Sequence, residues 1–337
     1  MKDPSGSVLS GQAIQNTAPP LIVVAGPTAI GKSALSVALA KRIGGEIISA
    51  DSMQVYRGMD IGSAKLTREE MDGVPHYLID VLEPEEPFDV FRFQQMAKEA
   101  LGKILSNGHI PIIAGGTGFY IQSVVYDIAF GENDGDDSYR RQLERLKDRP
   151  EVLHRMLEEA DPESAAMIHQ NNVKRTIRAL EYFHQTGQTM SEHNREERER
   201  TSPYNHACFV LTDDREKIYE RIDRRVDKMM RSGLLDEVTR LKDRGLTVDD
   251  VSMKGLGYAE LLHYLGGDYP LEEAVRLIKR NTRHFAKRQL TWFRREKDVI
   301  WLNRRDYDGD IGRMLDAVEV ILREKGILDE QMKERRL

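Results

Sequence analysis

Short apolar runs separated by polar, glycine-rich segments fill the first third of the chain. Residues 21–25 (LIVVA) are apolar and mostly β-branched, bounded by Pro20 and Gly26, which predicts a buried parallel strand. In residues 33–43, Leu35, Leu39 and Ile43 share one helical stripe, and Gly44-Gly45 ends the helix. EIISA at 46–50, YLIDV at 77–81 and IPIIA at 110–114 predict three more strands. Residues 93–105 read as a helix that stops near Asn107-Gly108. Strand, helix, strand alternation with short connections implies an α/β fold, a parallel sheet with helices on both faces. Ligands of such sheets sit at the C-terminal ends of the strands. Three of those ends run into residues 26–33, 51–54 and 115–118, so these segments are expected to line one crevice.

The texture changes near Gly131. Residues 132–204 are highly charged, with helical signals and no good strand. Pro150 and Pro162 each suit the first position of a helix, and a helix over 172–185 ends at Gly187. ACFVL at 207–211 and VIWL at 299–302 restore strand character, and the rest reads as mostly helical. The expected organisation is a loose N-terminal tail (1–20), a P-loop α/β core (21–129 and 205–337) and an all-helical insertion (130–204).

Composition narrows the possibilities. The chain has 337 residues, enough for a large core plus an inserted piece at roughly 100–200 residues per domain. Its single cysteine, Cys208, excludes an intrachain disulfide and a multi-cysteine metal site, and reads as a buried hydrophobe. The nine histidines show no HExxH pairing. No apolar run reaches the ~18 residues of a membrane span, and the tail lacks a signal-peptide core, so a cytoplasmic protein is expected. Net charge is −6, so any nucleic-acid binding must come from local basic surface.

Residues 26–33, GPTAIGKS, fit GxxxxGK followed by Ser or Thr. Glycines allow the tight turn that aims backbone N–H groups inward. The following helix adds its positive end. Lys32 is a point charge for outer phosphates, and the Ser33 hydroxyl can ligate Mg²⁺. Gly26, Pro27, Thr28, Ala29, Ile30, Gly31, Lys32 and Ser33 are therefore the candidate polyphosphate cradle. A P-loop recognises an organic diphosphate as well as an NTP. Two aspartates suit a supporting role. Asp80 reads as a turn or cap residue. Asp51, at the crevice mouth, suits a helix cap, an Asx-turn or a general base.

Basic residues concentrate in 276–297. Nine of them face Glu296 alone, with Phe285, Trp292 and Phe293 interleaved, a composition that suits RNA or a solvated helix face. Lys174, Arg175 and Arg178 form a smaller patch.

GPTAIGKS, ISADSMQVYRGMDIGSAK, AGGTG, RIDRRVDKM, KGLGY and TRHFAKRQLTWFR, in that order, resemble the bacterial tRNA dimethylallyltransferase (tRNA isopentenyltransferase) family over residues 21–302. The resemblance implies transfer of a dimethylallyl group from its diphosphate to the exocyclic N6 amine of the adenosine immediately 3′ of the tRNA anticodon, with pyrophosphate leaving and Mg²⁺ as cofactor. It implies that Arg225 faces the diphosphate beside Lys32 and that Asp51 is the base. It places Ser52, Met53, Gln54 and Thr117 near the target nucleotide. Contacts to the anticodon stem-loop are implied at Arg140, Lys174, Arg175, Arg178, residues 254–258 including Lys254, Arg283, Lys287 and Arg288. Ala259 departs from the basic or polar residue expected there; Ser33 for threonine keeps the hydroxyl. No obligate protein partner is evident. The competing reading is a P-loop kinase of small molecules, which accounts for the loop but not for the charged insertion or the basic segment. A non-catalytic, nucleotide-gated RNA-binding protein is the third.

Overall fold

The computed structural model describes residues 18–130 and 138–328. The expected tail lies outside these up to residue 17. The described chain divides into two compact units, one comprising residues up to Val125 and from Pro203 onward, the other spanning Tyr126–Ser202.

The first unit opens with β1 (Pro20–Ala25), α1 (Lys32–Ile43), β2 (Gly45–Ala50), α2 (Arg68–Met71), β3 (His76–Tyr77), α3 (Val90–Ser106), β4 (Ile110–Gly115) and α4 (Gly118–Val125). The second holds α5 (Ser138–Glu144), α6 (Pro150–Ala160), α7 (Pro162–Met167), α8 (Val173–Thr186) and α9 (Met190–Glu199). The first resumes with β5 (Asn205–Thr212), α10 (Arg215–Arg231), α11 (Leu234–Asp243), α12 (Tyr258–Gly266), α13 (Leu271–Phe293), β6 (Val299–Asn303) and α14 (Ile311–Glu324).

The six strands form one sheet in the order β3-β2-β4-β1-β5-β6, and every pairing is parallel. Ile22, Val24, Ile112, Phe209 and Leu211 of the strands pack with Leu35 and Leu39 of α1 and with Met314 and Val318 of α14, a buried layer that the apolar runs in the sequence anticipate. Register then decides what happens at the sheet's end. Ala25 pairs with Gly115, and Gly115 with Ala50, so β1, β4 and β2 finish level with one another. Gly26, Gly116 and Asp51 therefore emerge side by side.

The predicted strand at 77–81 is corrected. β3 ends at Tyr77 because Leu78 and Asp80 adopt φ of 63° and 55°, which no extended strand allows. The chain curls there instead, and the Asp80 carboxylate meets Lys65 at 2.6 Å. The helix α4 follows directly on the glycine-rich turn and has no counterpart in the sequence reading. Pro150 and Pro162 do open α6 and α7, and Gly187, in the left-handed conformation, closes α8. The second unit has its own small core of Leu143, Leu153, Leu157, Ile177 and Leu180. Cys208 is buried in β5, and its thiol pKa is pushed up to about 12 by burial and by Glu296. Among the described residues no helix is long and apolar enough to cross a membrane.

One buried carboxylate organises the loop after β2. Glu237 of α11 accepts from the backbone N–H groups of Asp60, Ile61 and Gly62 at 2.9, 2.9 and 3.0 Å, and from the Tyr258 hydroxyl at 2.7 Å. Glu237→Gln replaces one of these acceptors by a donor facing donors. The variant is expected to lose about 1–3 kcal/mol of stability, read as a lower urea midpoint at unchanged slope.

Candidate active site

The crevice is built on the level strand ends. After β1 the backbone turns sharply at Gly26, whose φ is 139° and where a Cβ would lie 2.7 Å from the Leu211 carbonyl. Only glycine fits that approach. Gly31 caps α1 in the left-handed conformation, and Lys32 and Ser33 form its first turn. N–H groups at a helix start have no carbonyl within the helix to bond, so they are available to an anion. Pro27 has no N–H to give, and the Thr28 N–H is held by Gln289 of α13 at 2.9 Å. The candidate cradle is thus narrower than the eight-residue motif suggests.

Lys32 donates to the Pro27 carbonyl at 2.8 Å. Its pKa is lowered to about 8, chiefly by burial, then by the Arg225 guanidinium, against the opposing pull of Asp51. Burial likewise lowers the pKa of Arg225, with Asp51 again opposing. Three residues far apart in sequence thus share one electrostatic environment. Asp51 Oδ1 accepts from the Met53 N–H at 2.9 Å, an Asx-turn that fixes the carboxyl at the end of β2. The Thr117 N–H donates to the Ala50 carbonyl at 3.4 Å, which places the GGTG turn beside Asp51. Tyr120 of α4, stacked on Phe93, completes this side; burial, Asp89, Tyr56 and Asp51 all raise its pKa.

Gln54 faces inward. Its side-chain oxygen accepts from Ser49, and its nitrogen donates to the Ser63 and Ala64 carbonyls at 3.4 and 3.5 Å. Ser52 stands half-buried beside it. Met53 packs against Gly255, so the segments 51–54 and 254–258 meet. Lys254 is exposed, and the turn behind it is fixed by Glu260, which accepts from the Gly257 N–H and from Asn281 of α13. On α13, Lys287 and Arg288 are exposed, with the Arg288 guanidinium 5.7 Å from the Phe285 ring centre. Arg283 differs: it pairs with Asp223 of α10 at 2.5 Å. In the second unit, Lys174, Arg175 and Arg178 lie exposed along α8, and Arg140 and Arg178 both approach the buried Glu181, at 3.6 and 3.0 Å.

Ser33 makes no hydrogen bond through its hydroxyl to any described group, and it lines a small cavity of ≈ 20 Å³ with Ser49, Gln54 and His76. No group of three or more His, Cys, Asp or Glu side chains that could hold a metal ion exists among the described residues. A free hydroxyl without a carboxylate cage fits Mg²⁺, which takes most of its ligands from phosphate oxygens and water. A wider open groove of ≈ 530 Å³ follows α1 past Lys41, Glu69 and Asp72, and none of the predicted site residues lines it.

The model of a family described as IPP transferase matches residues 54–296. The chain belongs to that family. A curated tRNA dimethylallyltransferase of Lachnoclostridium phytofermentans is 57% identical over 311 residues, covering 92% of this chain and 99% of the relative. One from Bacillus velezensis is 51% identical over 290 residues, covering 86% and 92%. The solved tRNA isopentenylpyrophosphate transferase of Bacillus halodurans superposes with a TM-score of 0.69 at 44% identity, covering 92% of this chain and 98% of the other. A eukaryotic dimethylallyltransferase captured acting on tRNA gives 0.75 at 29% identity, covering 85% and 74%. The fold is that of the P-loop NTPases.

The residues that sequence reasoning missed are those that reach the site from afar: Gln289, Glu237 and Lys65, whose buried ammonium bonds the Tyr56 carbonyl, Asp60 and Asp80. Gln289 and Lys65 lay inside quoted motifs, but nothing in those motifs marks their partners; Glu237 lay outside them.

The pKa of Lys32 yields a pH signature. A bound diphosphate raises it by supplying negative charge, so binding takes up a proton wherever the free amine is neutral. The contribution of Lys32 to pyrophosphate affinity is expected to be constant below about pH 8 and to fall above it, by up to tenfold per unit. Calorimetric titration checks this. Lys32→Arg, which stays charged, should remove the part of the decline that belongs to this residue.

Proposed function

We propose that this protein transfers the dimethylallyl group of dimethylallyl diphosphate to the exocyclic N6 amine of the adenosine immediately 3′ of the tRNA anticodon, releasing pyrophosphate, in the cytoplasm. The observation that carries this reading is the meeting of Lys32, Arg225 and Asp51 in one crevice, in a chain whose relatives are named for this activity.

The chemistry follows from those groups. The bond between the allylic carbon and the diphosphate oxygen breaks, leaving negative charge on pyrophosphate and cationic character on the allyl group. Lys32, Arg225 and the first amides of α1 stabilise the anion as it forms. The Ser33 hydroxyl would help hold Mg²⁺, which would supply further neutralisation of that charge. The N6 lone pair of adenine is delocalised into the ring and needs help. The Asp51 carboxylate, fixed by its Asx-turn, orients the amine and accepts its proton as the new N–C bond forms. Thr117 stands beside it. Anticodon bases are unpaired, so the target base leaves its stack at modest cost. Lys287, Arg288 and Lys254 take phosphates on the first unit, and Arg140, Lys174, Arg175 and Arg178 on the second.

A kinase would need ATP and would release ADP. Incubation with dimethylallyl diphosphate, Mg²⁺ and unmodified tRNA, without ATP, should give digests containing adenosine one dimethylallyl group heavier. Absence of that nucleoside together with ADP release would overturn the reading. Asp51→Ala should lower turnover by about 10²–10⁴-fold with tRNA binding intact. Neutralising Lys287 and Arg288 together should flatten the salt dependence of tRNA binding by roughly one to two units of log K against log salt.

A further inference from the structure

The small cavity lined by Ser33 lies between α1 and the sheet. Ser33 and Ser36 stand one turn apart on α1, and Ile47 and Ser49 stand two residues apart on β2, so each pair presents its side chains to one side. Ser49 pairs with Ala114 of β4, and Ile47 with His76, the first residue of β3. These residues line the cavity together with Gln54. Its volume of ≈ 20 Å³ exceeds the about 10–15 Å³ that a single water needs.

The hydrogen bonds of the walls decide how a guest must point. The Ser36 hydroxyl donates to the Lys32 carbonyl at 2.9 Å, and the Ser49 hydroxyl to the Gln54 side-chain oxygen at 2.9 Å. The Gln54 nitrogen donates to the Ser63 and Ala64 carbonyls. Those protons are committed. His76 Nδ1 lies 2.8 Å from the Val74 carbonyl, which only accepts, so Nδ1 carries the proton. Burial holds the His76 pKa below the ordinary histidine value, against that hydrogen bond, and the ring is neutral at neutral pH. Nε2 is then a lone-pair acceptor, and it is buried with no hydrogen-bond partner among the described residues. Ser33 is the lining side chain whose hydroxyl proton is still uncommitted among the described residues.

We propose that this cavity holds one water, which accepts the Ser33 hydroxyl proton and donates to His76 Nε2, and that His76 is thereby a positioning residue for Ser33. The inference rests on the reading of Ser33 as a ligand of Mg²⁺ given above. Its direction follows from the inventory of donors and acceptors. A water beside a neutral Nε2 must donate to it. Its second proton has the oxygen of Ser36 or Ser49 to meet, and its lone pair faces the one proton left, on Ser33. A serine that ligates a cation through oxygen must turn its hydrogen away from that cation. Here the hydrogen has an acceptor behind the loop, so the Ser33 lone pairs face the phosphate side. Partners of this kind, one step behind a metal ligand, are worth about 10–100-fold in metal affinity.

The first test needs neither a variant nor a metal. In a high-resolution X-ray structure of the full chain, ordered density for one water is expected about 2.7–3.2 Å from both His76 Nε2 and Ser33 Oγ. A dry cavity would overturn the proposal. The second test measures pyrophosphate affinity by calorimetry, with and without Mg²⁺. His76→Leu removes the acceptor, whereas His76→Gln offers an amide oxygen near the place of Nε2; both lose the bond from Nδ1 to Val74. His76→Leu should lose about 10–100-fold of the gain that Mg²⁺ gives wild type, with its metal-free affinity within about twofold of wild type. His76→Gln should keep that gain to within about threefold. Equal loss with and without Mg²⁺, or equal loss in both variants, would mark a merely structural histidine and overturn the proposal, as would a wild-type gain in His76→Leu. Added to Ser33→Ala, His76→Leu should cost nothing more, because the hydroxyl it positions is gone; a further loss of the Mg²⁺ gain counts against the proposal. Ser33→Ala with the full wild-type gain would instead remove the metal reading of Ser33 on which the inference rests, leaving the transfer reaction standing.

Discussion

A cation placed beside a cation, partly out of water, is the condition on which this crevice depends. Lys32 is discharged more easily than a free lysine because burial and Arg225 both oppose its charge, and Asp51 offsets only part of that. Such an arrangement is short of negative charge until a polyanion enters. In the proposed reaction a diphosphate supplies that charge at one end of the crevice and leaves Asp51 free for chemistry at the other. Electrostatic need and catalytic division of labour thus come from the same three side chains.

Holding like charges together requires a frame that does not relax. The sheet supplies part of it, because the paired ends of β1, β4 and β2 bring three loops level. The loops themselves are fixed by buried polar side chains that reach across the fold to backbone groups. Glu237 collects three N–H groups of the 58–64 segment, Lys65 takes the Tyr56 carbonyl, and Gln289 takes one group from each of two turns. Loop backbone near a packed core must find partners, and side chains on neighbouring helices provide them.

The strands and the P-loop were legible in the sequence because their signals are local. Apolar runs ending in glycine identify β1 and β4, and the motif identifies the start of α1. The errors have local causes too. Residues 77–81 look like a strand because the run is apolar, yet left-handed backbone at Leu78 and Asp80 turns the chain out of the sheet. The helix α4 was hidden because glycines precede it and its eight mostly apolar residues, including the exposed Phe119, leave no polar face to set a period. What no local pattern carries is pairing over long separations. Arg283 reads as one of nine free basic residues until Asp223, sixty positions earlier, is seen to hold it. Gln289 reads as a polar residue in a basic helix until its partners 261 and 173 positions away appear.

Cys208 has a practical consequence. It is buried in a central strand with its thiol held protonated, so the chain presents a surface free of reactive sulfur among the described residues. A cysteine introduced on the exposed side of α13 or α8 would then be the one site that a thiol-directed dye attacks under native conditions. Approach of RNA to either helix could be followed by fluorescence in this chain, with no background thiol to remove first.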